Sequence, residues 1–405
     1  MCWSCAQTKE GGAESHEFVR VAGHDLIKPD GEKLYIQGTN LGNWLNPEGY
    51  MFGFRRMNSP RQINELISEL AGPDKAAEFW ADFKDNYITR ADIDYIASTG
   101  ANTIRLPFHY KLFTDEDYMG LNSNQDGFAR IDSVVEWCKA NDMYLILDMH
   151  DAPGGQTGDN IDDSYGYPWL MESRKSQELF CGIWTKIADR YKNEPTILGY
   201  ELMNEPVATY FETNRDTLNT QLVEVYKKGV EAIRKVDPNH IILIGAPQWN
   251  SNFEPLEGVD FGEQIMYTCH RYGGEPTPEA IRSYIDFRDK SGHPMYMGEI
   301  GHNTDEWQAA FVETMKDNNI GYTFWPYKKC DSSCMMGITM PEEWEEVMKF
   351  AEGPHHTFGE IREANPDRAK AATALDKFIV GCRLQNCTPQ DTYITSMGLT
   401  PKPNK

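Results

Sequence analysis

The chain has 405 residues, 40% of them hydrophobic and 12% aromatic, which suffices for a large core and exceeds the roughly 250 residues that a (β/α)8 barrel needs. Its net charge of -23 excludes a binder of nucleic acid, whose affinity comes from clustered Lys and Arg neutralising phosphates; a neutral, hydroxyl-rich ligand fits better. Among its residues no apolar run reaches the ~18 that a membrane-spanning helix requires.

Met1 to Gln7 carries neither a basic region nor an apolar stretch, so it is not a complete signal peptide. A cysteine followed by the polar, Gly-containing stretch Gln7 to Ser15 resembles the start of a bacterial lipoprotein whose leader has been trimmed. Residues 1–17 therefore read as a leader remnant or flexible linker. They suggest a secreted or cell-envelope protein with a lipid anchor as its candidate tether; an uninformative chain end is the alternative. Phe18 to Val21 and Asp25 to Ile27, with Pro29-Asp30-Gly31 as a turn, predict a small hairpin capping the floor of the domain.

Eight short segments rich in β-branched, aromatic and aliphatic residues then recur, separated by helical or loop stretches. They are Leu34 to Gly38, Asn102 to Pro107, Tyr144 to His150, Ile197 to Glu205, His240 to Gly245, Gln264 to His270, Pro294 to Glu299 and Ile320 to Trp325. Eight parallel strands with crossover helices close a barrel, so the predicted class is α/β, a (β/α)8 TIM barrel in one domain over residues 18–386. Phe128 to Asn141, Ser176 to Tyr191, Leu218 to Val236 and Thr304 to Asn318 repeat apolar residues at three- and four-residue spacing and supply outer helices, and a Pro-initiated helix is expected over Arg61 to Leu70. After Lys349, the apolar positions Ile361, Ala371, Leu375, Phe378 and Ile379 predict one final helix as a C-terminal extension, and residues 387–405 a mobile tail. The nine cysteines are too widely spread for a disulfide framework. Cys330 with Cys334, and Cys382 with Cys387, are close enough for local bridges, although most cysteines read as small buried apolar residues. Cys2 and Cys5 lack the second pair that a zinc finger needs.

In a barrel of this kind the loops at the C-terminal ends of the strands build the site. That is where the unusual residues fall: Arg105 on strand two, His150 on three, Asn204-Glu205-Pro206 on four, His270 and Tyr272 on six, Glu299 on seven and Trp325 on eight. Retaining glycoside cleavage needs two carboxyl groups about 5 to 5.5 Å apart, one protonated and one ionised, and strands four and seven can present them across the mouth. Glu205 then serves as acid/base and Glu299 as nucleophile. Asn204 suits the sugar 2-hydroxyl, Arg105 and Tyr272 suit donation to the nucleophile, and the histidines suit orienting the substrate. Asp148 and Glu201 lie deeper on their strands and read as structural partners of a buried Arg.

These motifs resemble glycoside hydrolase family five over about Leu34 to Lys329. Leu202-Met203-Asn204-Glu205-Pro206 is similar to the family's acid/base motif and Met297-Gly298-Glu299-Ile300-Gly301 to its nucleophile motif. The resemblance implies substrate-binding positions at Arg105, His150, Asn204, His270, Tyr272 and Trp325, with no metal and no cofactor. Asn40 to Leu45 and His150 to Gln156, with Asp159-Asn160, are similar to the exo-β-1,3-glucanase branch, which implies a β-glucan or short β-glucoside as the carbohydrate partner. Two departures from that branch are Pro326-Tyr327 before Lys328, where a second Trp is more common, and His302, where an aromatic is common. Rival readings keep the chemistry on cellulose, mannan, xyloglucan or a glycolipid, or make the barrel a non-catalytic carbohydrate binder or a metal-dependent enzyme. Both carboxylates are present, and Arg, Asn and Tyr intersperse the candidate ligands, which disfavours the last two.

Overall fold

The computed structural model describes residues 17–159 and 161–404, so the lipoprotein-like start, with Cys2 and Cys5, and Asn160 lie outside the described residues. Eight strands, Gln37–Asn40, Thr103–His109, Tyr144–Asp151, Ile197–Glu201, Ile241–Gly245, Ile265–His270, Met295–Ile300 and Gly321–Phe324, form a closed barrel in chain order. Every neighbouring pair is parallel, including the first strand with the eighth. The predicted segments match these within a few residues except at the start. Lys33–Leu34 belongs to a separate antiparallel sheet with Arg20–Ala22 and Asp25–Ile27, and the first barrel strand begins only at Gln37.

That small sheet is the floor. Val19 and Leu26 pack with Ile36, Ile146, Leu198, Ile241, Leu243, Met266 and Tyr296, the lower layer of the barrel interior. Each fully buried aliphatic of this kind contributes roughly 1.5–3 kcal/mol, which fixes the plug at the end opposite the strand C-termini. The outer helices lie at Asp126–Ala140, Arg174–Tyr191, Arg215–Arg234, Arg282–Ser291 and Asp305–Asp317. Before strand two comes a bundle of three more, Pro60–Ala71, Pro73–Asn86 and Arg90–Ser98. The first of these opens on a capping box, Ser59 with Gln62, followed by Pro60 at the first helical position, where a missing N–H costs nothing.

The C-terminal extension differs from the sequence expectation in two ways. The single helix predicted after Lys349 is two, Phe358–Ala364 and Arg368–Gly381, because the left-handed Asn365 before Pro366 interrupts the helical ladder, and a further helix, Trp344–Glu352, precedes them and ends before Gly353-Pro354. Residues 387–405 are also not a mobile tail over their described part. Thr388–Pro389 pairs with Met336–Gly337, which pairs in turn with Lys328–Lys329, and a helix follows at Asp391–Ser396. Tyr393, Ile394, Met397 and Leu399 are buried, the Tyr322 hydroxyl donates to Met397 O at 2.7 Å, and Gln37 Nε2 donates to Gly398 O at 2.9 Å. This segment therefore lies across the junction of the first and eighth strands. Lys328 is fully buried nearby and donates to Asp92 Oδ1 (2.6 Å), Tyr87 O (2.8 Å) and Cys382 O (3.0 Å), which ties the strand-eight exit to both flanking helical groups. Cys138, Cys181, Cys269, Cys330, Cys334, Cys382 and Cys387 are all free, so neither local bridge forms.

Candidate active site

Arg105 organises the floor of the site. It points inward from strand two, completely buried, and spends all five N–H donors. Nε and Nη2 grip Glu201 at 2.8 and 2.7 Å, Nη1 reaches Asn40 Oδ1 at 3.0 Å and Glu299 Oε1 at 2.7 Å, and Nη2 also holds Asn204 Oδ1 at 2.8 Å. Asp148 Oδ2 lies 3.0 Å from Nη2. Asp148 and Glu201 are thus the partners of a buried Arg that their depth on the strands implies.

Glu299 sits above this guanidinium at the end of strand seven. Its other oxygen, Oε2, accepts the Tyr272 hydroxyl at 2.6 Å. Burial works against its charge, but the positive fields of His270 and Arg105, with the Tyr272 hydrogen bond, outweigh it and hold the carboxyl down at about 2. The preceding Gly298 makes the geometry feasible: a Cβ there would stand 2.5 Å from Thr268 Oγ1 and 3.0 Å from His270 Nε2.

Glu205 faces it from the end of strand four. One carboxylate oxygen of each glutamate and a His270 ring nitrogen all lie within 4.8 Å of one another. His270 Nδ1 is 2.8 Å from Glu205 Oε1 and 3.4 Å from Glu299 Oε2. Burial disfavours charge on this ring, yet Glu299 and Glu205 raise its pKa. The Asn250 amide stands 3.1 Å from His270 Nε2, and its Oδ1, buried without a partner, is the atom that must face this nitrogen when the ring carries both protons.

A cavity of about 350 Å3 opens above these groups, lined by Glu48, Tyr50, His150, Ile161, Asn204, Glu205, Tyr272, Glu299, His302 and Trp325. Six of the eight sequence-predicted positions therefore reach it. Arg105 and His270 do not: both lie under the floor, so their assignment as substrate contacts is corrected, Arg105 making the donation to Glu299 that the sequence suggests and His270 bridging Glu205 and Glu299. His150 and Trp325 stack with ring centroids 5.0 Å apart and planes 2° apart, Asp148 fixes His150 Nδ1 at 2.7 Å, and Trp325 Nε1 donates to Tyr50 at 2.6 Å. Glu48, Tyr50 and Ile161 were missed by sequence reasoning because loops bring them in. For Glu48 and Tyr50 the available signal was their position just beyond the Asn40 to Leu45 stretch. His302 was noticed only as a departure.

Two groups among the described residues bring three metal-ligating side chains together, Glu205-His270-Glu299 and His109-Asp151-Asp163. Neither suits an ion. Arg105 and Tyr272 already occupy Glu299, and His109 Nδ1 accepts the Lys111 amide at 3.1 Å, which places the proton of the neutral ring on Nε2, between the two aspartates, where a metal would need a lone pair.

A closed (β/α)8 barrel with two facing carboxylates in the cavity at the C-terminal ends of its strands defines a glycoside hydrolase. The model of the cellulase family, glycosyl hydrolase family 5, matches residues 57–331, and the chain belongs to that family. It is 29% identical over 270 residues to a β-xylosidase of Phanerodontia chrysosporium, covering 66% of this chain and 54% of that protein. It is 27% identical over 262 residues to a probable glucan 1,3-β-glucosidase A of Emericella nidulans, covering 62% of this chain and 61% of the relative. The chain thus spans less than two thirds of the length of either. Among solved structures, a β-glucanase from Saccharophagus degradans superimposes with a TM-score of 0.54 at 19% identity, over 89% of this chain and 94% of that one.

Proposed function

We propose that the chain hydrolyses β-glycosidic bonds in a glucan or short β-glucoside, β-1,3-linked by preference, with retention of configuration. The observation that carries this reading is the pairing of Glu205 and Glu299, with one carboxylate oxygen of each within 4.8 Å of the other and His270 between them, which accords with the close pair of carboxyl groups of a retaining site. Glu299, held ionised, attacks the anomeric carbon while Glu205 gives its proton to the departing oxygen, and a covalent glycosyl-enzyme forms. With His270 donating to Glu205 Oε1, the other oxygen is left to carry that proton. Esterification removes the charge of Glu299; Glu205, now ionised, takes a proton from water, whose oxygen attacks the anomeric carbon and frees the nucleophile. Asn204, its oxygen committed to Arg105, has its amide nitrogen for the sugar 2-hydroxyl.

The β-1,3 preference rests on the glucanase-like motifs and on the glucan 1,3-β-glucosidase relative. A polymeric neutral substrate also accords with a secreted or cell-envelope location. Laminarin, lichenan, cellulose and aryl β-glucosides digested side by side test the substrate, and laminarin ranking below cellulose would reject the preference. Azide added to Glu299→Gly with an activated aryl glycoside tests the roles. The expected product is the glycosyl azide of inverted configuration, and its appearance only with Glu205 variants would reverse the assignment.

A further inference from the structure

The acid/base residue is held in a backbone conformation that its own sequence does not favour. Glu205 has φ of 42° and Val207 of 54°, both left-handed, a region that costs a non-glycine residue roughly 1–2 kcal/mol. Such a conformation persists only where its surroundings over-determine it, and the loop after strand three does so. Gln156 Nε2 donates to Asn204 O at 2.9 Å, and Thr157 Oγ1 donates to Glu205 O at 2.8 Å. In return Val207 N donates to Gln156 O at 2.9 Å and Ala208 N to Thr157 O at 3.0 Å. Pro206 has no N–H to offer, so the loop takes the two successive carbonyls of Asn204 and Glu205 and the amides of Val207 and Ala208, while Asn204 N donates to Met149 O on strand three at 3.1 Å. On the far side Gln248 N donates to Val207 O at 2.8 Å, closing the segment between two loops.

The loop is itself rigidly mounted. Gln156 Nε2 also donates to His150 O at 2.8 Å and its Oε1 accepts Ala152 N at 2.9 Å, while Asp162 Oδ2 takes the amides of Thr157 at 2.7 Å and Gly158 at 3.3 Å. Asp163 anchors its outer end, with Oδ2 3.0 Å from His109 Nε2 on strand two and Oδ1 accepting Arg61 N at 2.9 Å. Gln156 and Thr157 are completely buried and do not line the cavity. They cannot touch a sugar, so the side-chain hydroxyl and amide have only the backbone of the Glu205 segment and of their own loop to act on.

We propose that Thr157, with Gln156 beside it, is a positioning residue of the acid/base: its hydroxyl on the Glu205 carbonyl fixes the left-handed turn that aims the Glu205 carboxyl at the leaving-group oxygen. This rests on the reading of Glu205 as the acid. A misplacement of about 1 Å in a catalytic group costs on the order of 100-fold, and here the loss falls on proton delivery alone. Substrates whose leaving group needs no proton are spared.

The test is a leaving-group series. kcat/KM, which reports steps up to glycosyl-enzyme formation, is measured for Thr157→Val, Thr157→Ser and Glu205→Ala on aryl β-D-glucosides running from dinitrophenyl to unactivated phenyl. Thr157→Val removes the hydroxyl and keeps the shape. It is expected to lose about 10- to 100-fold on the poor leaving groups and only a few-fold on the dinitrophenyl glucoside, while Thr157→Ser restores the wild-type slope. Should Thr157→Val not fold, Thr157→Ala is read on the same series. If Glu205→Ala is leaving-group selective but the Thr157 variant loses activity evenly or not at all, the positioning role is overturned. If Glu205→Ala itself loses activity evenly across the series, the reading of Glu205 as the acid is what fails.

Discussion

Arg105→Lys asks the most of the floor described above. Lysine keeps a positive charge but brings three donors to a place where five are used, so at least two of the five bonds to Glu201, Asn40, Asn204 and Glu299 are lost. Buried acceptors left without a partner cost roughly 1–3 kcal/mol each, which puts the destabilisation near the roughly 3–5 kcal/mol that follows from breaking a buried ion pair. The catalytic consequence is separable from that loss. Arg105 is, after His270, the strongest positive influence holding Glu299 ionised. Removing a hydrogen bond to a charged group is worth roughly 1.5–3 kcal/mol, and at about 1.4 kcal/mol per pH unit the ionisation of Glu299 should move up by about one to two units. A pH profile of kcat/KM, taken on protein whose folded fraction is checked by thermal melting, should show its acid limb displaced upward by that amount. A folded Arg105→Lys variant with an unmoved acid limb would refute the claim that this guanidinium sets the charge of the nucleophile.

Glu299 should also mark the stability curve. Its folded-state pKa lies below the unfolded value, so its ionised form stabilises the fold above about pH 4.5 and that contribution is lost as the pH falls towards 2. The difference in unfolding free energy between the wild type and Glu299→Gln should therefore shrink by up to about 3 kcal/mol across that window in denaturant titrations, and a constant difference would count against it. Trp325→Ala should lower kcat as well as raise KM, since a stacked face lost under a distorting sugar costs about 1 to 3 kcal/mol, part of it only in the transition state. Because Trp325 is itself buried against His150, melting must accompany the kinetics, and a lowered melting temperature with unchanged kcat/KM would leave it a purely structural residue. Exhaustive chelation should leave the rate unchanged, as the Glu299 and Glu205 carboxylates are bound by Arg105, Tyr272 and His270; activity lost and regained with Ca2+ or Zn2+ would contradict this.

The barrel was legible because each of its strands is a short apolar run, and the polar residues at the ends of several of them, such as His150, Glu205, His270 and Glu299, pointed to the cavity face as well. Alternation gave the depth of Asp148 and Glu201, but not which of the other polar residues reach the cavity. Arg105 is only the third residue of its seven-residue strand, and its guanidinium lies against Glu201 and Asp148, while the His270 imidazole, at a strand end, sits between two acids, so neither meets the cavity. Leu34 reads as the start of strand one because periodicity does not say which sheet a strand will join. The chain beyond Cys387 misled for a different reason. Its Thr, Pro and Gln give a polar average, while Tyr393, Ile394, Met397 and Leu399 are few and irregularly spaced, and only the barrel wall they meet reveals that they share a face.

The segment that lies across the junction of strands one and eight bears on the order in which the molecule is made. All eight strands leave the ribosome before residues 391–399 do, so the ring can be drawn together while Gln37 and Tyr322 still await the partners that Met397 and Gly398 supply. During synthesis the junction is the youngest and least covered part of the wall, whereas the floor plug of Val19 and Leu26 has been available from the outset. Growth of the chain thus gives the seam of the vessel its cover last, after every strand that the seam joins has been made.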